Sequence, residues 1–556
     1  MDSLSFAVKV APSGIILPNS MQRDLRRLAD DEFDLLVVGG GATGACIARD
    51  AALRGSRVAL VEADDFAHAT SAHNSKLVHG GLRYLRNFEL GLVRESLKER
   101  RIWQRIAPHL VRPLPFLVPI YGNGFRARAT LSAGLTLYDL LSFDRGWLDD
   151  PAQRLPGHRW FGRAEALARE PALDGPGFAG AFLYYDAQMY APERLALECL
   201  VDAADHGAAL ANHCEAARLL IRNGKVEGAS ARCRVSAAEI DIRAKSTIVA
   251  AGPWADLFLN RALGTAEFKL IRSKGIHLVV PAITRGHAFT VATPQGHFFV
   301  LPWRGYSLLG TTDTAFAGSP DSVGVSEADI ASFLAFVNAN LPMARIRRQD
   351  VKHFYAGLRP LVDDGSRDTY GASRRAELID HRSKDNVDGL ISAIGGKWTT
   401  SRDLAEQAVD MAMQKLGRPR RAASTATLPL PGGRIGRLAD FAKSHAPDQD
   451  HIARLYGAGL ERILSLAKER PEFAARLSPS GDIGAQVAYA VREEMALTLD
   501  DVVTRRTGIG QLGKPDGQAL SAAAAIMANE LGWSDVRKAK EIESVAGSFA
   551  TLEIAA

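Results

Sequence analysis

Residues 34–63 read DLLVVGGGATGACIARDAALRGSRVALVEA, and this stretch decides the fold class. The apolar run at 35–38 has the length of a buried strand, 45–53 is helix-forming, Gly55 supplies a stop, and RVALVEA reads as a second strand. Between the first strand and the helix lies a G-x-G-x-x-G pattern at Gly39, Gly41 and Gly44. Glycines there let the backbone approach a pyrophosphate at the positive end of the helix. Glu62 closes the second strand 18 residues beyond Gly44, where a carboxylate can accept the ribose hydroxyls. Strand, fingerprint, helix and acid together predict a dinucleotide-binding βαβ unit, whereas the glycines alone would describe only a tight turn. Glu62 also argues against a 2′-phosphate, and so against NADP.

Two later passages repeat the step from strand to glycine. STIVAAGPWA (246–255) carries Gly252, and LISAIGGKWTTSRDLAEQAVDMAMQKLG (390–417) reads as strand, Gly-Gly turn and long amphipathic helix. A chain that returns twice to its first βαβ unit in this way suggests FAD. No second strand–G-x-G-x-x-G–helix unit is read for a nicotinamide cofactor, so the hydride is expected to come from the bound substrate.

At 556 residues the chain exceeds what one core holds, so two or three domains are expected. The segments 33–110, 191–260 and 351–426 are assigned to a discontinuous FAD-binding domain, and 111–190 with 261–350 to a β-rich substrate domain. GIHLVVP, HFFVLPW and YSLLGTTD have strand composition. After the Pro-Gly linker TLPLPGG, residues 434–556 are helix-patterned, while 1–32 reads as a poorly ordered lead-in. The net charge of +5 suits anionic ligands or an anionic membrane surface, but no basic block interleaved with aromatics points to nucleic acid. Cys46, Cys199, Cys214 and Cys233 show no metal-like spacing, predicting free thiols in a reducing compartment and no metal site. Neither a secretory leader nor an apolar run long enough to span a bilayer is evident.

ATSAHNSKLVHGGLRYL (69–85), GPWA (252–255), KGIHLVVP (274–281), GTTDT (310–314), YAGLRPL (355–361), GGKWTTSRDLAEQAVD (395–410) and YAVREEMALTLDDVVTRRT (489–507) occur in this order. Together they resemble the FAD-dependent, respiratory sn-glycerol-3-phosphate dehydrogenases from about residue 33 to 510. The resemblance implies an α/β fold: a glutathione-reductase-like Rossmann domain for FAD, an antiparallel β-rich substrate domain and a C-terminal α-helical domain. It also implies oxidation of glycerol 3-phosphate to dihydroxyacetone phosphate, with electrons passed to a quinone.

Residue roles follow partly from this resemblance and partly from chemistry. Arg83 and Arg359 match the family's phosphate- and substrate-binding arginines, in keeping with the planar fork a phosphate dianion prefers. Tyr84 either hydrogen-bonds substrate or packs as a ring. His277 is the expected general base, because imidazole titrates near working pH. Lys397 matches an active-site lysine that bonds substrate or flavin. Gly395, Gly396 and the N–H groups around Thr399 and Thr400 would open the long helix beneath the flavin, where a positive helix end favours negative charge. Thr70, Ser71 and Ser75 are expected to support the FAD phosphates and ring. His79, Gly80 and Gly81 lie where backbone passes close to that ring, with His79 either chemical or structural.

Two places depart from the family pattern: His73-Asn74, where small or hydroxylated residues are usual, and 189–193, which lacks an Asp pair before Arg194. The stretch FRARATLSAGLTLYDLLS (125–142) falls where the family docks on the bilayer, and reads as an interfacial segment or a buried core helix. The helix expected at 489–507 is read as structural or as an interface. The expected location is the cytoplasmic face of the cell membrane, as a peripheral protein, with a homodimer left open. Three alternatives stand at this point: an oxidase that makes hydrogen peroxide, a related enzyme acting on another polyol phosphate or hydroxy acid, and a flavin-binding regulatory protein without turnover.

Overall fold

The computed structural model describes residues 21–122, 125–265, 267–293, 296–341, 343–362, 376–419 and 421–551. Its first sheet runs in the order Ala376–Asp380, Leu390–Gly395, Glu239–Val249, Glu32–Val38, Val58–Val61, Ala209–Ala211. Glu32–Val38 pairs in parallel with both Val58–Val61 and Glu239–Val249, and the latter pairs in parallel with Leu390–Gly395. Three chain-distant segments thus share one sheet. Leu35 and Val37 join one core while Leu36 and Val38 join another on the opposite face. Cover on both faces explains why this strand is a continuous apolar run.

The helices Ala42–Leu53, Pro192–Asp205 and Ser401–Lys415 form the layer on the first of these faces. Ile47, Ala51, Leu195, Cys199, Leu404 and Val409 meet there, and the same core continues into Ile452, Leu455, Val487 and Val503 of the C-terminal helices. All four cysteines are buried free thiols.

The second sheet is largely antiparallel and follows the order Thr314–Ala315, Leu270–Pro281, Tyr306–Gly310, Gly296–Trp303, Ala288–Thr293, Val111–Tyr121, Phe178–Met189, Leu77–Val78. His353–Val362 pairs with Leu270–Pro281 over its full length. This pairing divides the segment 351–426: its first strand belongs to the second sheet, and only the strands from 376 onward belong to the first. The reason lies in register. Ala356 and Phe354, alternating with the site-facing residues, complete the apolar face of the second sheet.

Two further expectations need correction. Within the lead-in, residues 21–31 are ordered: Met21 is buried and its N–H donates to the Glu493 carbonyl (3.1 Å), and Asp24 caps the helix Leu25–Asp30. The stretch 489–507 is not one helix. Gly484–Glu493 ends, Met495 takes a left-handed φ of 58°, and Asp501–Arg506 forms a separate π-turn. The break lets Glu494 turn inward to accept both 2.7 Å bonds from Arg194 Nη1.

Candidate active site

The fingerprint folds as its spacing demands. Gly39 has φ +109°, and a Cβ there would meet the Ala250 carbonyl oxygen at 2.5 Å; one on Gly44 would sit 1.8 Å from the Gly39 oxygen. The first glycine makes the turn and the third lets the helix Ala42–Leu53 press on it. Ser71 Oγ accepts from Ala42 N–H at the helix start (2.9 Å), which brings this hydroxyl to the expected pyrophosphate position. Glu62 accepts from Gly40 N–H (2.6 Å) and Asp64 N–H (3.0 Å), while burial pushes its carboxyl upward. Gly252, at φ +51°, faces open space. Helix start, hydroxyl, acid and open glycine fit the dinucleotide predicted for them.

Beyond Ser71 the chain crosses to the second sheet, and the loop 72–84 supplies two clusters. The first is built on register. Ser273, Gly275, His277 and Val279 stand opposite Arg359, Gly357, Tyr355 and His353. These eight residues alternate along two strands, so each set of four shares one face. His277 Nε2 and Ser75 Oγ are 2.9 Å apart, and the imidazole stacks on Tyr355 at 5.0 Å between centroids. A Cβ on Gly310 would strike this imidazole, and one on Gly275 would strike the Arg359 guanidinium. Arg359 is steered by Ser273 Oγ (3.0 Å) and Thr311 Oγ1 (2.8 Å). His277 Nδ1 is buried and has no hydrogen-bond partner among the described residues. Burial first, then the positive fields of Arg359, Lys76 and His73, hold His277 well below the ordinary imidazole range, so it is neutral.

The second cluster lies at the mouth of the helix Ser401–Lys415. Lys397 Nζ is buried, sits 4.7 Å over the Tyr84 ring, and makes no hydrogen bond to a described residue. Burial lowers its ammonium, opposed by Tyr84, Glu95 and Asp186. Arg83 lies 5.0 Å from the same Tyr84 ring. Thr399 Oγ1 accepts from His79 N–H (3.2 Å), Trp103 Nε1 donates to the Thr399 carbonyl (3.1 Å), and Thr400 is buried at the helix start. His79 is likewise held well below the usual imidazole range, first by burial and then by Lys397 and Arg83.

Several predicted residues do other work than expected. Ser75 bonds His277, and Thr70 Oγ1 donates to the Leu358 carbonyl (2.6 Å), joining the loop to the second sheet. The space beside Gly80 is taken by Leu97 and Tyr138, and that beside Gly81 by the Tyr84 ring. Gly80 N–H donates to Tyr138 Oη (2.9 Å) and Asp186 (3.2 Å), so packing explains this pair of glycines. Gly396, at φ +80°, packs against Ala376. At the first departure, His73 stacks on Tyr355 (5.4 Å), burial lowers it to about 3, and Asn74 closes its loop through Ser71 O (2.8 Å) and Lys76 N–H (2.7 Å). The second departure leads into Arg194, whose pairing with Glu494 makes it an interior clasp.

Tyr355, His353, Lys76 and Ser273 went unread in the sequence. The alternation His353, Tyr355, Gly357, Arg359 was the available signal, since a polar set with period two marks one strand face.

Comparison with known proteins agrees with this architecture. Residues 34–402 match the family model for FAD dependent oxidoreductases, and 423–538 match that for the C-terminal domain of alpha-glycerophosphate oxidase. A glycerol-3-phosphate dehydrogenase from Synechocystis is 36% identical, covering 94% of this chain and 97% of its own. A mitochondrial one from Mesocricetus auratus is 34% identical over 95% of this chain and 74% of its own. The crystal structure of the glycerol-3-phosphate dehydrogenase from Bacillus halodurans complexed with FAD superposes with a TM-score of 0.74 at 28% identity, covering 94% of this chain and 95% of that one. With its fingerprint, its two sheets and its helical C-terminal unit matched along nearly the whole length, the chain belongs to the FAD-dependent oxidoreductases and, among them, to the glycerol-3-phosphate dehydrogenase family.

Proposed function

We propose that the protein oxidises the secondary alcohol of sn-glycerol 3-phosphate to dihydroxyacetone phosphate and passes the electrons to a respiratory quinone. The observation that carries this reading is the pairing of a neutral buried imidazole, His277, with the guanidinium of Arg359 on adjacent strands. FAD, when bound, supplies the hydride acceptor. Gly39, Gly41, Ser71 and Glu62 would hold its nucleotide end, and Gly252, Thr399 and Thr400 would lie along it. Arg359 and Arg83 bind the phosphate dianion, and Tyr84 and Lys397 complete the anion's surroundings. His277 takes the proton from the C2 hydroxyl as hydride leaves the carbon, with Ser75 orienting the ring through Nε2. The start of Ser401–Lys415 would offer a positive helix end to negative charge on the reduced cofactor.

The deciding experiment is an anaerobic titration of the FAD-loaded protein with a panel of phosphorylated polyols. Glycerol 3-phosphate should bleach the flavin stoichiometrically, and a quinone should restore it. Bleaching by another polyol phosphate alone would overturn the substrate. Hydrogen peroxide formed in air at the rate of quinone-dependent turnover would make the enzyme an oxidase. Arg359→Ala removes a charged hydrogen-bonding group, so KM for glycerol 3-phosphate should rise about 10- to 100-fold with FAD content unchanged. An unchanged KM would remove Arg359 from phosphate binding.

Membrane attachment rests on the helix Phe125–Leu141. Only Leu135 and Tyr138 on it are buried, which rules out a buried core helix. Phe125 (83% exposed) and Leu140 (67%) project from it and Phe143 (58%) and Trp147 (62%) follow its end, with Arg126 and Arg128 in its first turn and Arg94 and Arg101 over the two following rings. Among the described residues no helix is long and apolar enough to cross a membrane. Such an apolar ridge with basic neighbours suits an anionic lipid surface. The protein should sediment with anionic vesicles and be released by high salt or detergent, and Phe143→Ser with Trp147→Ser should abolish sedimentation. Sedimentation indifferent to these two changes would count against this surface.

A further inference from the structure

A second basic cavity lies where the C-terminal helices meet the second sheet. It has a volume of about 330 Å³ and is lined by Gln188, Tyr190, Thr284, Trp303, Arg304 and Arg454, among others. Arg304 is on the turn between Gly296–Trp303 and Tyr306–Gly310, and Arg454 is on the helix Asp450–Tyr456. Arg112, opposite Gln188 on the neighbouring strand, stands behind them.

The two lining guanidiniums are fixed by the same ring. Arg304 lies 4.4 Å and Arg454 4.1 Å from the centre of Tyr190. The ring is itself held by a 2.6 Å bond from its hydroxyl to His451 Nδ1, and Trp303 Nε1 donates to the Tyr190 carbonyl (3.1 Å). Stacking satisfies the faces of a guanidinium and leaves its N–H edges to find acceptors. Arg304 Nε and Nη1, Arg454 Nε, Arg112 Nε and Thr284 Oγ1 are all buried without a hydrogen-bond partner among the described residues. None of the three arginines forms an ion pair with a described carboxylate. Asp450 opposes this charge at Arg454 and, with Asp150, at Arg112, while Asp150 is also engaged by Ala152 N–H and Leu438 N–H. Burial and the Arg454 charge lower Arg112 to about 10, and burial, opposed by Glu193 and joined by the Arg304 charge, lowers the neighbouring Lys76 to about 8. Three guanidiniums are thus gathered here without a direct ion pair to a described carboxylate, around a cavity large enough for a small molecule.

We propose that this cavity is a second ligand site, binding a small soluble phosphate-bearing anion between Arg304 and Arg454. The guanidiniums of Arg304 and Arg454 both line the cavity, and planar forks of this kind match phosphate oxygens. The bound anion joins the second sheet to the C-terminal helices. The site is independent of which alcohol the enzyme oxidises, and its residues are distinct from Arg83, Arg359 and Lys397.

The test uses the FAD-loaded full chain with inorganic pyrophosphate as probe, at ionic strength matched with sodium chloride. Calorimetry should show that the double variant R304Q/R454Q raises the Kd for pyrophosphate at least about tenfold, while Arg359→Ala leaves binding at this site intact. An unchanged Kd in the double variant overturns the proposal. Should that variant fail to fold, the unmodified protein still decides. Pyrophosphate should slow phenylglyoxal modification of Arg304 and Arg454, read by peptide mass mapping, relative to sodium chloride. Equal modification in the two salts overturns the site.

Discussion

Replacing His277 by Asn should lower kcat on glycerol 3-phosphate by about 10²- to 10⁴-fold, the range typical of a lost general base. FAD content and the flavin spectrum should stay unchanged. His277 stands on a strand of the second sheet, whereas the fingerprint residues that would hold the dinucleotide belong to the first. The sign of its titration favours the role. Burial, Arg359, Lys76 and His73 all oppose the charged form, so the lone pair needed to accept a proton is present across neutral pH. Ring-carbon shifts of isotope-labelled His277 in the substrate-free protein should therefore remain those of neutral imidazole at pH 6, below the ordinary value of about 6.5. Ser75→Ala, which removes only the 2.9 Å contact to Nε2, should have a smaller effect on kcat than the loss of the imidazole. A fall of less than about tenfold in the Asn variant would show that another group takes the proton.

The second large effect is on stability. Asp65 follows the second strand of the fingerprint unit and accepts from Arg505 Nε (2.6 Å), Arg506 Nη1 (2.7 Å) and Arg506 Nη2 (2.7 Å). Asn212 Nδ2 adds a fourth bond at 2.9 Å. Asp65→Ala leaves two buried guanidiniums without this partner, which should cost about 3–5 kcal/mol. Urea unfolding should show this as a lowered midpoint, and amides of 501–506 should exchange faster than in the parent. The Asp65 carboxyl is held far below the carboxylate range by the two arginines against a large burial penalty. A carboxyl depressed on folding stabilises above its unfolded value, near 3.9, and loses that contribution only as pH falls through the folded value. The clasp should thus persist through mild acid. A midpoint unchanged in Asp65→Ala would assign the cohesion of this interface to the apolar core alone.

Legibility in the sequence followed the range of the interaction. The βαβ unit was readable because strand period, helix period and the Gly39–Gly44 spacing are local constraints, met within about thirty residues. Glu62 was readable for the same reason. The glycines at 80 and 81 were read as making room for a flavin, whereas Leu97, Tyr138 and Tyr84 fill that room. Nothing local shows that a side chain 58 residues away hydrogen-bonds Gly80. The stretch 489–507 looked like one helix because its composition is helix-forming. Burial of Glu494 against Arg194, 300 residues away, outweighed that preference.

The sequence by itself determined that a dinucleotide fold is present, that the chain returns to it twice, and which chemistry-bearing residues are available. Only the tertiary structure decided which of them meet. The antiparallel register of Leu270–Pro281 and His353–Val362 brings Ser273 against Arg359 and His277 against Tyr355, though each pair is separated by more than seventy residues. A shift of one residue in that register would turn His277 or Arg359 to the opposite face, because side chains alternate across a sheet. Register is set by the apolar partners on the far side, Ile276, Leu278, Ala356 and Leu358, all buried. The loop SKLVHGGLRYL is placed in the same way, held at Thr399 and Asp186 by groups from both units. Local chemistry names the parts of this site, and burial of the alternate residues positions them.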